Sequence, residues 1–218
     1  MSIDGNISDF SDTIKRYHLG CGPVIIKGFV NIDSDLHRIA GEIEEGVPRA
    51  INDVPNTLVM RHDLRRGIPS ENKSLDIIYH SHFLEHLSRE EAPLFLRECH
   101  RVLRKGGLMR IAVPDFELWC RNYVAGNREF FRWYRATYLG ENNPKYKTIS
   151  SIFTGMLYNW GHKMAYDYET LALAISEAGF RNVRRVTWGA SDRFGGIAEI
   201  ENDSPRRFES LLIECEGT

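Results

Sequence analysis

The sequence predicts an α/β fold: an open sheet, mostly parallel with an antiparallel final strand, carrying an aromatic-rich helical insertion. Three observations lead there. Short apolar, β-branched bursts recur between turn residues and are apolar on both parities, as strands covered on both faces are. Two segments of helical spacing stand between such bursts, each opened by a capping side chain and closed by glycine. The segment 116–166 holds 13 of the 24 aromatic residues in less than a quarter of the 218-residue chain.

The first dozen residues are polar and acidic and read as a loose arm or short helix. Arg16–Leu19 is the first strand, ending at Gly20. Gly28–Ile32 is the second, ending at Asp33, and Thr57–Arg61 the third, followed by His62 and Asp63. Leu75–His80 is the fourth. Ser88-Arg89-Glu90-Glu91 then reads as a capping box, with a hydroxyl at the N-cap and a carboxylate three residues on. Leu94, Leu96, Cys99, Val102 and Leu103 follow near helical spacing, and Gly106-Gly107 closes the helix. Leu108–Val113 is the fifth strand, stopped by Pro114. After the aromatic segment a second helix starts at Asp167, runs through Leu171, Ala174, Ile175 and Ala178, and stops at Gly179. Val183–Trp188 and Phe208–Cys215 complete the sheet.

Length and the absence of repeats or a Pro/Gly-rich linker favour one domain over residues 1–218, with 116–166 as an insertion inside it. A net charge of −2 gives no electrostatic reason to expect a nucleic-acid or membrane binder. No stretch is apolar enough for a membrane helix, and the opening residues lack the pattern of a signal peptide. Cys21, Cys99, Cys120 and Cys215 are scattered, which reads as free thiols and a cytoplasmic setting. Spacing alone says nothing of the oligomeric state.

The chemistry gathers at the strand ends. Gly20-Cys21-Gly22 lets the backbone turn tightly and approach a ligand with no Cβ in the way. Asp33, eleven residues past Gly22, stands at the next strand end, where a carboxylate can accept from a ribose diol. Asp63 ends the third strand, and Ser81 and His82 the fourth. Ligands of open α/β sheets bind outside the carboxyl ends of the strands, so these residues together describe one edge of a nucleoside-binding crevice. Each alone reads as a turn residue.

These residues make the chain resemble the class I S-adenosylmethionine-dependent methyltransferases, a Rossmann-like family, in the small subgroup with a Leu-Gly-Cys-Gly…Asn-x-Asp opening. His18-Leu19-Gly20-Cys21-Gly22 is similar to the first motif, Phe29–Asp33 to the ribose-binding second, and His62-Asp63-Leu64 to the adenine-side third. Ser74–His82 with Leu84-Glu85-His86 resembles the fourth strand and its following turn. Val102–Gly107 followed by Arg110–Pro114 resembles the helix–Gly-Gly–strand signature. The resemblance implies S-adenosyl-L-methionine as cofactor, held by His18, Leu19, Gly20, Cys21, Gly22, Asp33, Asp63, Leu64, His80, Ser81 and His82, with no metal. It is strong over 16–115, weaker over 162–188 and nearly absent in 117–160. The chain departs from the family at Pro23, where the third glycine belongs. Six residues between Gly22 and Phe29 are also too few for a crossover helix, so the N-terminal arm is expected in its place.

A nicotinamide Gly-x-Gly-x-x-Gly fails at Ile25. His80, His82 and His86 offer a metallohydrolase alternative, although Glu85 falls one residue late for that arrangement. A catalytically silent scaffold that kept the crevice is a further alternative. For methyl transfer to a hydroxyl the chain must take up a proton, and histidine is the natural base near neutral pH. His162, just after the aromatic segment, and His86, after the fourth strand, are candidates against a packing or capping role. Asp115 is a third, otherwise an N-cap, whereas His100 reads as a surface or packing residue. The subgroup resembled, together with aromatics able to stack on sugar rings, points to O-methylation of a sugar or other small molecule. The aromatics of 116–166 serve either as the segment's own core or as a substrate-selecting lid, with a flexible turn at Gly140–Lys145.

Overall fold

The computed structural model describes residues 15–36, 44–51, 54–202 and 204–218. Eight strands form one sheet: β1 (Arg16–Leu19), β2 (Val30–Asp33), β3 (Arg49–Ala50), β4 (Leu58–Arg61), β5 (Leu75–Ser81), β6 (Leu103–Pro114), β7 (Arg181–Arg185) and β8 (Ser210–Glu216). Their order is β3-β4-β2-β1-β5-β6-β8-β7. From β4 to β6 neighbours run parallel, whereas β8 is antiparallel to both β6 and β7, and β3 to β4. The chain walks outward from β1 to β2 and β4, then returns to the other side of β1 for β5 and β6. That reversal is the topological switch point where open α/β sheets bind ligands. The two-residue β3 carried no signal in the sequence.

β1 and β2 pair in parallel, Tyr17 beside Val30 and Leu19 beside Ile32, without a helix between them. A buried side chain closes the short connection. Asn31 Oδ1 accepts from Ile26 N–H at 2.8 Å, and its Nδ2 donates to the carbonyls of Ile26, Phe29 and Leu58 at 3.0–3.2 Å. Four bonds on one fully buried amide satisfy both loop and strand, so the loop is held without helical packing. The expected N-terminal arm lies outside the described residues. Near this loop, Ile26, Phe29, Ile77, Tyr79 and Leu108 pack against Phe194 and Ile197, from the segment before and in α6 (Ile197–Glu201).

Fully buried Arg110, midway along β6, ties α6 down. It bonds both oxygens of Glu201 at 2.6 and 2.7 Å, Glu214 Oε1 at 2.8 Å, and the carbonyls of Thr187 and Ala190. Trp188 leaves the sheet to donate its indole N–H to the Glu201 carbonyl. The strand expected at Val183–Trp188 therefore lies at Arg181–Arg185 instead.

The opposite face carries the main core. α1 (Glu91–Val102) buries Phe95, Leu96, Cys99 and Val102, and α5 (Tyr168–Glu177) buries Leu171 and Ile175. The capping box forms: Glu91 N–H donates to Ser88 Oγ, and Ser88 N–H to Glu91 Oε2. Two expectations need correcting. Leu94 points outward, 56% exposed, because the 3.6-residue period places Phe95 on the sheet. Gly106-Gly107 does not close α1, which runs straight into β6. These glycines exchange backbone bonds with Gly217 at the sheet's end.

Residues 116–166 leave and rejoin the sheet at one point, where Asp115 bridges Tyr166 and Phe116 N–H donates to the Tyr166 carbonyl. Between lie α2 (Phe116–Val124), α3 (Arg128–Tyr134), a π-turn at Arg135–Leu139, and α4 (Ile149–Tyr158). Trp119, Phe131, Tyr134, Leu139, Ile152 and Met156 form a separate core. Tyr158 and Trp160 stay exposed. Among the described residues no helix is long and apolar enough to cross a membrane.

Candidate active site

Two cavities open at the carboxyl ends of β1, β2, β4 and β5, and Asp33, Phe83 and His86 line both. The larger encloses about 550 Å3, the size of a small-molecule site, and the smaller about 270 Å3. Gly20 and Gly22 have φ of 63° and 51°. A Cβ on Gly20 would overlap the Phe83 ring, whereas one on Gly22 would meet nothing, so bare backbone faces the cavity there. The Gly22 N–H donates to Asp33 Oδ2 at 2.9 Å, which locks the turn to the carboxylate. Asp33 Oδ1 also accepts from Asp35 N–H, and the carboxylate keeps lone pairs for a diol. Asp63 and Leu64 line the smaller cavity with His62. A hydrogen bond from Arg65 and then its charge hold Asp63 down to about 2. A glycine-lined turn, a carboxylate and a second chamber in a row fit a nucleoside with a charged tail.

His18 is buried in the larger cavity's wall, its Nδ1–H donating to Asn31 Oδ1 at 3.0 Å, and burial lowers it to about 4, so it is neutral. Burial pushes the Cys21 thiol up to about 12, which makes it a packing group. Ser81 presents its carbonyl and hydroxyl to Arg206, and His82, with φ of 54°, bonds Ser210 Oγ at 2.7 Å.

Beyond β5 the turn Leu84–His86 places Glu85 and His86 against His162. The imidazole rings of His86 and His162 meet edge to face, centroids 4.8 Å apart. His162 Nδ1–H donates to the Met156 carbonyl at 2.7 Å, which leaves Nε2 with the lone pair. Burial lowers both histidines, so both are neutral near pH 7. Glu85 is 1% exposed, and burial pushes it up to about 8. Its oxygens have no hydrogen-bond partner.

Several predicted residues fall elsewhere. Leu19 packs in the main core and His80 is fully buried against Phe83 and Phe95, neither lining a cavity. His80 is a neutral core residue, lowered by burial to about 3. The His80/His82/His86 cluster therefore does not form; the fold gathers Glu85, His86 and His162 instead. Asp115 spends one oxygen capping α2 at Leu118 N–H and the other on Arg185, and lines neither cavity. It acts as the N-cap. His100 packs on Phe180 and bonds Thr218.

Sequence reasoning missed Trp188, Asn202, Ser204 and Arg206 in the larger cavity's wall, and the buried Glu209. Burial pushes the Glu209 carboxyl up to about 7, against the opposing pull of Tyr138 and Arg206. Tyr134 and Glu85 also face this region. A carboxyl raised in the folded state stabilises fully below its ordinary value near 4.5, and that contribution is lost as pH rises through about 7. Glu209→Gln is therefore expected to flatten the fall in unfolding free energy from about pH 5 to 8 by about 2–3 kcal/mol. Urea titrations of both proteins across that range test it, and parallel profiles would refute it.

Residues 30–111 match the methyltransferase domain family. No curated protein matches the sequence. Among solved structures, the chain is similar to a SAM-dependent methyltransferase from Archaeoglobus fulgidus, with a TM-score of 0.52 and 15% identity over 96% of this chain and 89% of that one. It is also similar to a chain of the complex between the Haloferax volcanii Trm112 methyltransferase activator and a methyltransferase, with a TM-score of 0.52 and 13% identity over 93% and 81%. The citrinin polyketide synthase CMeT domain gives a TM-score of 0.54 and 12% identity over 94% of this chain and 46% of that one. At such identities the likeness is one of fold. With the domain match over residues 30–111 and the shared fold, the protein is an S-adenosylmethionine-dependent methyltransferase with the class I fold. Its cofactor is S-adenosyl-L-methionine.

Proposed function

We propose that the enzyme methylates a hydroxyl of a sugar or similar small molecule, within one domain spanning residues 1–218. The observation that carries this is His86, which lines both cavities, with His162 packed edge to face against it from the end of the aromatic insertion. Gly20, Cys21, Gly22, Asp33, Ser81 and His82 hold the cofactor, with Asp63 and Leu64 around its base. When bound, S-adenosylmethionine supplies an electrophilic methyl group. The chain's own task is to orient the acceptor and take its proton. His162 Nε2 suits that, since the Nδ1 bond to Met156 fixes the tautomer, and His86 flanks it. Residues 116–166 act as a lid that excludes water and selects the acceptor.

Trp160 supports the lid reading. It is 51% exposed, holds a left-handed φ of 58°, and its ring lies 5.7 Å from that of His162. Backbone strain of this kind gathers at functional sites. Trp160→Ala is expected to lower kcat/KM for the acceptor about fivefold, near 1 kcal/mol of ring contact, and to leave cofactor affinity unchanged. Trp119→Ala, in the insertion's own core, should instead cost about 3–5 kcal/mol of stability. A screen with radiolabelled cofactor over small hydroxylated acceptors, tRNA and protein tests the acceptor class. Methylation confined to tRNA or protein would overturn it.

A further inference from the structure

We propose that Glu85, His86 and His162 form a binding site for a divalent first-row transition-metal ion of the zinc type. One ligand atom from each lies within 4.8 Å of the other two. Bonds of about 2.0–2.2 Å around a tetrahedral ion separate ligands by about 3.4 Å, so small side-chain rotations close the site.

Glu85 is the first reason. Its carboxylate is 1% exposed, yet neither oxygen has a hydrogen-bond partner. His82 Nδ1 comes to 3.4 Å of Oε1, outside hydrogen-bond geometry. The cations nearby are engaged elsewhere: Lys163 on Glu91, and Arg206 on Ser81. A buried carboxylate without partners is costly, and a metal ion is one of the few groups that can satisfy it there. The second reason is independent. His162 gives its Nδ1–H to the Met156 carbonyl, the outer bond that metal-bound histidines make, and turns Nε2 free. Two imidazoles and a carboxylate form a donor set suited to zinc, iron or cobalt and poorly suited to magnesium or calcium.

Three protein ligands leave a coordination position open. His86 lines both cavities, so that position adjoins the acceptor. With the ion bound, His162 Nε2 is a ligand rather than the base, and the ion would instead hold the acceptor oxygen and ease loss of its proton. This use rests on the acceptor reading above, whereas binding of the ion does not.

The full-length chain, stripped with chelator, is titrated with Co2+ and followed by visible absorption, with Zn2+ as competitor. One equivalent of Co2+ should bind with intense d–d bands of low-coordinate cobalt and be displaced by Zn2+. Loss of an outer partner already weakens metal sites about 10–100-fold, so Glu85→Gln and His162→Ala should each weaken binding at least tenfold. His100→Gln, at a histidine bonded to Thr218, should leave it unchanged. S-adenosylhomocysteine titrations of each preparation show that the variants are folded. Absence of the bands in the wild type, or their persistence at full affinity in both ligand variants, overturns the site. Cofactor binding in the same preparation and the acceptor screen keep that failure separate from failure of the acceptor reading.

Discussion

Asp33→Ala is expected to weaken S-adenosylhomocysteine binding about a hundredfold, near 2.7 kcal/mol, in calorimetry. Hydrogen bonds to a charged group contribute about 1.5–3 kcal/mol each, and on the proposed reading this carboxylate accepts two from the cofactor's ribose diol. The side chain has a second role. It holds the Gly22 N–H at 2.9 Å, so its loss also frees the turn that faces the ligand. Asp33→Asn keeps an acceptor for Gly22 and should fall between the two, about tenfold down. Asp63→Ala should cost less, because Arg65 already occupies both Asp63 oxygens at 2.8 Å and would compete with the ligand. A folded Asp33→Ala protein that binds as the wild type does would remove the carboxylate from the site.

The five strands from β1 to β6 other than β3, and both framework helices, were legible because each rests on local chemistry: apolar runs stopped by Gly, Asp or Pro, and caps at Ser88 and Asp167 that form as read. The glycine turn and the carboxylate that holds it were legible for the same reason, since Gly20, Gly22 and Asp33 lie within fourteen residues. What failed to show is long-range. Glu85 reads only as part of the turn after the fourth strand, and the fold alone brings His162, far along the chain, to it. Trp188, Asn202, Ser204 and Arg206 reach the cavity from a segment with no motif, placed by tertiary contacts alone. Asp115 takes the second of its two readings, the N-cap, because a carboxylate after a strand end serves a helix N-terminus as readily as a substrate. His80 was misread because one residue of strand register separates the cavity wall from the core.

That unmotifed segment hangs on Arg110, and Arg110→Met is expected to cost about 3–5 kcal/mol of stability. The guanidinium is fully buried and held charged, with burial opposed by its bonds to Glu201 and Glu214. Removing it strands two buried carboxylates, of which Glu214 keeps a bond from Arg184 while Glu201 keeps Gly189 N–H. It also frees the Thr187 and Ala190 carbonyls, and with them the stretch that carries Trp188 to the cavity. Cofactor affinity should therefore fall along with the melting temperature, although Arg110 lines neither cavity. Replacing Arg110, Glu201 and Glu214 together with apolar residues of similar volume should recover most of the stability, since the loss comes from unpaired charge rather than from the missing pair. Recovery of stability without recovery of cofactor affinity would show that the polar clamp sets the position of the segment. A single Arg110→Met variant as stable as the wild type would mean that water or a rearranged neighbour neutralises both acids, and the clamp would not hold the fold.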